Sequence, residues 1–241
     1  MRLTHGVLVV LVGCGGAPVR PAGSVVLSQV CDGERCTVSA SAVFSSAPSR
    51  CTKAAVAGCR VTECERVGDA LNGEEVSAGD IEVAGLRTGP LTLRGGSVSF
   101  SGRAWEGGET LTVSAPGGVV PAFSAELVAP REVKLEATGG GTLRRGADFT
   151  VLWDDAPMTP VSVTVMSAKP KARWVVVSCT FATSPAVVPA AALKHLHRSD
   201  DGYTVSLMLT PAVERSVVVG EWDVGVSAET GGFATFLTTS D

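Results

Sequence analysis

The stretch that decides the fold is TVSASAVF, Thr37 to Phe44. Val38, Ala40, Ala42 and Phe44 take one parity, and Thr37, Ser39 and Ser41 take the other. Successive side chains of a strand point to opposite faces, so this period-two pattern marks a strand with one face on a core and one in water. The same pattern recurs along the chain. ETLTVSA sets Leu111, Val113 and Ala115 against Thr110, Thr112 and Ser114. VSVTVMS, YTVSLMLT and EWDVGVSAE repeat it with Val161/Val163/Val165, Tyr203/Val205/Leu207/Leu209 and Trp222/Val224/Val226/Ala228. Gly, Pro and Asp clusters punctuate these runs at short intervals, which predicts an all-β, antiparallel β-sandwich architecture or a partly open barrel.

One stretch reads as helix. VPAAALKHLHR, Val188 to Arg198, has Pro189 at a tolerated first-turn position, a run of alanines, and basic residues toward its end. It is too short to stand alone and predicts one short connecting helix packed on a sheet. ERVGDAL, Glu65 to Leu71, offers a second, weaker helical turn. The composition changes around ATGGGTLRRGAD, Ala137 to Asp148. This divides the chain into a cysteine-rich N-terminal β-domain, 24–138, and a C-terminal β-sandwich domain, 139–241. The latter has the size and strand count of an immunoglobulin-like sandwich, without the Cys…Trp…Cys signature of antibody domains.

The N-terminus reads as an address. MRLTH carries one firm positive charge, Arg2, and precedes an apolar run, Gly6 to Val12, that ends in LVGC, Leu11 to Cys14. A membrane-spanning helix needs about 20 apolar residues, so this run is an export signal. LVGC looks like a bacterial lipobox. Residues 1–13 are then a lipoprotein signal peptide, and Cys14 becomes the lipidated N-terminus, carrying acyl chains such as palmitate. An ordinary signal peptidase cut after Ala17 would be followed by Pro18, which is poorly tolerated there. Residues 14–23, with their run of Gly and Pro, read as a tether. Gly15 is not the Asp that resembles an inner-membrane retention signal, which points to the outer membrane.

The formal charge is −4, and Lys and Arg form no cluster, so nucleic acid is a poor partner. Seven cysteines are present. With Cys14 taken by lipid, Cys31, Cys36, Cys51, Cys59, Cys64 and Cys179 remain, an even set that reads as disulfides in an exported protein. In VCDGERC, Asp32–Gly33 is a turn signal that sets Cys31 opposite Cys36 and predicts a local bridge. Cys179 must then join Cys51, Cys59 or Cys64. The favoured arrangement is Cys64–Cys179 with Cys51–Cys59, stapling the two halves together. No C-x-x-C pair is present, and the spacing of Cys51, Cys59 and Cys64 suits no common zinc module, so neither a metal nor a cofactor is expected.

AGDIEVAGL, GGVVPAFSAELVAP, DFTVLW and CTFATSPAVVPAAALKHL, in that order, resemble a group of secreted lipoproteins from myxobacteria. The resemblance runs from about Ser24 to the C-terminus and includes positions like Cys51, Cys59, Cys64 and Cys179. It implies location and fold class but no chemistry.

Catalytic constellations are scarce. His195 and His197 share a face only in a strand. In the expected helix they diverge, and a solvated helix end is the reading. There is no G-x-S-x-G, and the serine-rich GGSVSFSG alternates like a strand. Cys179 shares an apolar face with Val175, Val177 and Phe181, which suits a structural cysteine. Asp154–Asp155 and Asp200–Asp201 are carboxylate pairs that could serve calcium or glycosidic chemistry, but ordinary turns are the favoured reading. Of the tryptophans, Trp153 and Trp222 fall on core faces. The expectation is a lipid-anchored cell-envelope protein, attached to the membrane through Cys14. It would be non-catalytic and would bind a protein or glycan partner or play a structural role. The alternative is an envelope hydrolase or carbohydrate-active protein using a carboxylate-lined cleft.

Overall fold

Alternation becomes strand wherever it was read. In a computed structural model describing residues 21–32, 34–45, 50–65, 76–133, 135–136, 141–153, 160–169 and 173–240, each alternating run forms a strand with its apolar parity buried, except that Tyr203 precedes its strand and is half-buried. The first strands are β1 (Ala22–Asp32), β2 (Arg35–Ser45), β3 (Arg50–Val56), β4 (Cys59–Glu65), β5 (Ile81–Ala84) and β6 (Leu91–Leu93). Next come β7 (Gly96–Ser101), β8 (Thr110–Ala115), β9 (Phe123–Val128), β10 (Leu135–Glu136), β11 (Thr142–Arg144) and β12 (Phe149–Trp153). The chain continues with β13 (Val161–Ala168), β14 (Arg173–Phe181), β15 (Ala186–Val188), helix α1 (Ala190–Leu193), β16 (Thr204–Val219), β17 (Trp222–Thr230) and β18 (Phe233–Ser240). Among the described residues no helix is long and apolar enough to cross a membrane.

One 11-stranded sheet organises the molecule, in the order β3-β4-β14-β13-β16-β17-β1-β2-β7, with β18 also on β16 and β11 on β18. Most pairs are antiparallel. Two are parallel, β1 with β17 and β11 with β18, which local alternation cannot reveal. A four-stranded sheet, β6-β5-β8-β9, supplies the second layer of one core. That core contains Val25, Leu27, Val38 and Phe44 from the large sheet, Leu111, Val113 and Leu127 from the small one, and Trp222, Val224 and Val226 from β17. A three-stranded sheet, β10-β12-β15, lies over the other half of the large sheet. There Val61, Val163, Val165, Val177, Val205, Leu207 and Leu209 meet Val151, Trp153, Val188 and Leu193.

Strand β16 runs under both cores. Val205 to Leu209 pair with β18 on one side while Thr204 to Pro211 pair with β13 on the other. From Ala212 onward the strand pairs with β17 instead. Pro211, which has no N–H to donate, stands at that change of partner. The parity holds through the change: Val205, Leu207 and Leu209 are buried in one core, and Val213, Val217 and Val219 pack against the other. The sheet therefore crosses the boundary expected at 138/139. The division by chain order does not coincide with the division between the two cores.

Two further details differ from the sequence reading. β1 begins at Ala22, two residues inside the expected tether. Gly23 belongs there sterically, because a Cβ at that position would lie 2.1 Å from Cδ1 of Phe44. The expected helix is a single turn. Pro189 precedes it with extended backbone, Asp148 Oδ1 accepts the N–H of Ala190 at 2.8 Å, and the chain leaves the helix after Leu193. Four residues are enough to bury Ala192 and Leu193, and Leu196 is buried in the turn that follows. Residues 1–13 and Cys14 lie outside the described residues, as do Asp154, Asp155 and most of ERVGDAL.

Candidate functional site

The disulfides define the site's rigid wall. Cys31 is bonded to Cys36, as its turn predicts, with the two residues directly opposite in the β1–β2 ladder. The other two bridges correct the expected pairing: Cys51 is bonded to Cys64, and Cys59 to Cys179. The reason is a two-residue hairpin turn. Ala57 and Gly58 both have positive φ, 48° and 85°, the signature of a tight primed turn between strands. That turn sets Val56 opposite Cys59 and counts back to Cys51 opposite Cys64. Cys51 and Cys59 then sit on opposite faces of the hairpin and cannot meet. Cys59 faces the core, where Cys179 of the neighbouring β14 reaches it; both are buried.

One bridge thus closes the β3–β4 hairpin on the outer face, and the other fastens it to β14, the next strand of the large sheet, on the inner face. Beside this hairpin the outer face of the sheet forms a groove of about 760 Å³. One wall is the hairpin, with Lys53, Ala54, Ala55, Gly58 and Arg60. The floor is hydroxyl side chains of β13 and β14, namely Ser162, Ser178 and Thr180. The opposite wall is β16 just after its change of partner, with Ala212, Val213 and Glu214.

Register explains this lining. Outward positions of adjacent strands are cross-strand neighbours: Arg60 stands opposite Ser178, Ser178 opposite Thr164, and Ser162 opposite both Thr180 and Thr210. Ser178 and Thr164 share a hydrogen bond at 3.4 Å between hydroxyls. Lys53 lies diagonally across the hairpin from Arg60, since Ala55 is Arg60's direct partner. Neither cation has an acidic partner within 4.0 Å among the described residues. From β4 to β16 the floor spans three strand spacings, about 14 Å. The groove therefore carries positive charge at one wall and a carboxylate at the other.

Behind Glu214, Glu229 of β17 lies diagonally across the ladder, because Glu214 pairs with Ser227 and Glu229 with Ala212. Burial pushes the Glu229 carboxyl above the usual range, and the charge of Glu214 adds to the shift.

The residues flagged in the sequence fall elsewhere. His195 Nδ1 lies 2.7 Å from Glu63 Oε1, an exposed pair at the far end of β4. His197 stacks on Tyr203 at 4.0 Å between ring centroids. Burial, helped by Arg145 and Arg173, lowers its pKa against the opposing pull of Glu63 and Asp201. The two histidines leave the helix and do not converge. Asp200 and Asp201 form a short 3-10 turn that ends at Gly202 in the left-handed region. Trp153 and Trp222 are buried in the cores, while Trp174 stands opposite Cys64 on the outer face. Among the described residues no group of three His, Cys, Asp or Glu side chains is placed to hold a metal ion.

Comparison with known proteins finds no matching family model and no matching curated protein.

Proposed function

We propose that this chain is a lipid-anchored cell-envelope protein, fastened to the outer membrane through Cys14, whose groove binds a protein or glycan partner without chemical turnover. The observation that carries the reading is the hairpin wall. Two of the molecule's disulfides are spent on holding Lys53 and Arg60 in place beside the groove. Such bridges persist in oxidising compartments, as export requires. A prepositioned wall also lowers the ordering cost of binding. The lining contains no histidine, and its one cysteine, Cys59, is already bonded, so no activated nucleophile faces the groove. The lipobox and the resemblance to myxobacterial lipoproteins support the location.

A second reading rests on Glu214 and Glu229, a carboxylate pair with one member of raised pKa, as glycoside hydrolysis uses. Only Glu214 lines the groove, which favours binding. Two measurements test the proposal. Cys14→Ser should move the protein to the soluble fraction or block its processing; a variant cut normally and still membrane-bound defeats the anchor. Incubating the protein with envelope polysaccharides should release no reducing ends. Release that is abolished in Glu214→Gln would establish the hydrolytic reading instead.

A further inference from the structure

We infer that the groove takes a polyhydroxylated chain bearing an anionic substituent, carboxylate or phosphate, with the anion seated at Lys53 and Arg60. This rests on the binding role proposed above and names the ligand for it.

The charge distribution sets where an anion goes. Lys53 and Arg60 are diagonal neighbours on the hairpin, and no carboxylate neutralises them among the described residues. Glu214, with Glu229 behind it, occupies the other wall and repels an anion there. A ligand with an acidic group is therefore oriented along the groove. Arg60 offers a planar fork that matches carboxylate or phosphate, and Lys53 adds a mobile point charge.

The floor sets what the rest of the ligand is. Ser162, Ser178 and Thr180 present hydroxyls, with Thr164 and Thr210 as their cross-strand neighbours. A hydroxyl both donates and accepts, which matches the mixed donors and acceptors of neighbouring sugar hydroxyls. A peptide is a poorer fit. β13 pairs along its length with both β14 and β16, and β14 pairs with β4 as far as Ser178, so only the short end of β14 beyond Ser178 offers any edge for strand addition. The lining also has no deep apolar pocket for a side chain, since its apolar members are small: Ala54, Ala55, Ala212, Val213 and Pro160. The absence of an aromatic ring from this lining disfavours neutral glycans recognised by stacking. Recognition must come from charge and hydroxyl pairing.

The test uses the oxidised, full-length chain and isothermal titration with three probes: trigalacturonate, a phosphorylated maltotriose and plain maltotriose. At least one acidic probe should bind. Its affinity should fall about tenfold in Lys53→Gln and in Arg60→Gln, and should weaken as salt rises. Which acidic probe binds distinguishes carboxylate from phosphate. Both substituted side chains are exposed, so the variants keep the fold; unchanged circular dichroism checks this. Maltotriose binding as tightly as the acidic probes overturns the inference, as does binding of an acidic probe that ignores both substitutions. If maltotriose binds and Ser162→Ala or Thr180→Val abolishes it, the groove remains a binding site and only the ligand class is wrong. If none of the three binds, the inference is overturned, and the groove's binding role then rests on a protein partner alone.

Discussion

The core under β5, β6, β8 and β9 seats Phe44 against Phe123 and Trp222, with ring centroids 6.2 and 6.5 Å apart. The core under β10, β12 and β15 is mostly aliphatic, built on Val61, Val163, Val165, Val177, Leu207 and Leu209, and it contains the Cys59–Cys179 bridge. The first core also pins its loop with a buried amide. Gln29 Oε1 accepts the N–H groups of Ala104 and Trp105 at 2.7 and 3.2 Å, and Gln29 Nε2 donates to the carbonyl of Trp105 at 3.1 Å. Its own disulfide, Cys31–Cys36, only closes a hairpin tip. Large aromatic side chains bury enough area to hold two layers without covalent help. Valines bury less each, and the β3–β4 hairpin lies at the edge of the large sheet. There the disulfides replace missing apolar contact. The comparison teaches that two of the three cross-links gather at the hairpin that walls the groove, where apolar contact is thinnest.

The sharpest way to break this contrast is to remove Cys59–Cys179 with paired alanines. The bridge closes a separation of 120 residues, for which the chain-entropy model gives about 5 kcal/mol. Chemical denaturation should show that loss, together with faster proteolysis of the hairpin. A loss under about 1 kcal/mol would mean that packing alone holds the wall. On the other side, Phe44→Ala should cost about 4 kcal/mol by opening a cavity between the layers of the aromatic core. A small loss there would deny that aromatics do the work of cross-links. The two remaining bridges grade the effect further. Removing Cys51–Cys64, with a separation of 13 residues, should cost about 3 kcal/mol, and removing Cys31–Cys36, with a separation of 5, about 2 kcal/mol. Only the first of these should also weaken ligand binding, because only it shapes the groove.

The smallest effect belongs to Glu229, near the change of partner between the cores. Its folded pKa lies above its unfolded value, since burial and Glu214 disfavour the ionised form. The stability it contributes is complete below the unfolded pKa, about 4.3, and is lost as pH rises through the raised folded value. Glu229→Gln should therefore melt higher than the parent at pH 7 and together with it at about pH 4. A variant less stable than the parent at pH 7 would mean that the carboxylate is paired rather than penalised.

Much of the fold was legible because alternation is local. Thr37 to Phe44 and Val161 to Ser167 declare their buried parity without knowing their neighbours. The Cys31–Cys36 bridge is legible in its turn, whereas Cys51–Cys64 and Cys59–Cys179 depart from the expected pairing although their signal is present in the sequence. Ala57–Gly58 is a two-residue turn, and counting outward from it pairs Cys51 with Cys64. Ala-Gly is a weak turn signal, because Ala at a positive φ is uncommon. The length of β16 was hidden for another reason. Pro211 and the charged Glu214 and Arg215 interrupt its apolar pattern, yet the parity continues from Val205 to Val219. The groove has no local signature. Lys53, Arg60, Ser162, Ser178, Thr180 and Glu214 come from five strands, and each alone is an ordinary outward residue. Only register makes them neighbours.

The account's central claim is that one sheet, carried across by β16, makes the two cores a single cooperative body, with the groove running from the edge hairpin to β16. Hydrogen exchange of the oxidised chain, followed by mass spectrometry across a denaturant series, tests this directly. Peptides covering β1–β2 in the aromatic core and β13–β14 in the aliphatic core should lose protection at one common midpoint. Two separated midpoints would show the cores opening independently, and β16 would then be a linker rather than a shared strand.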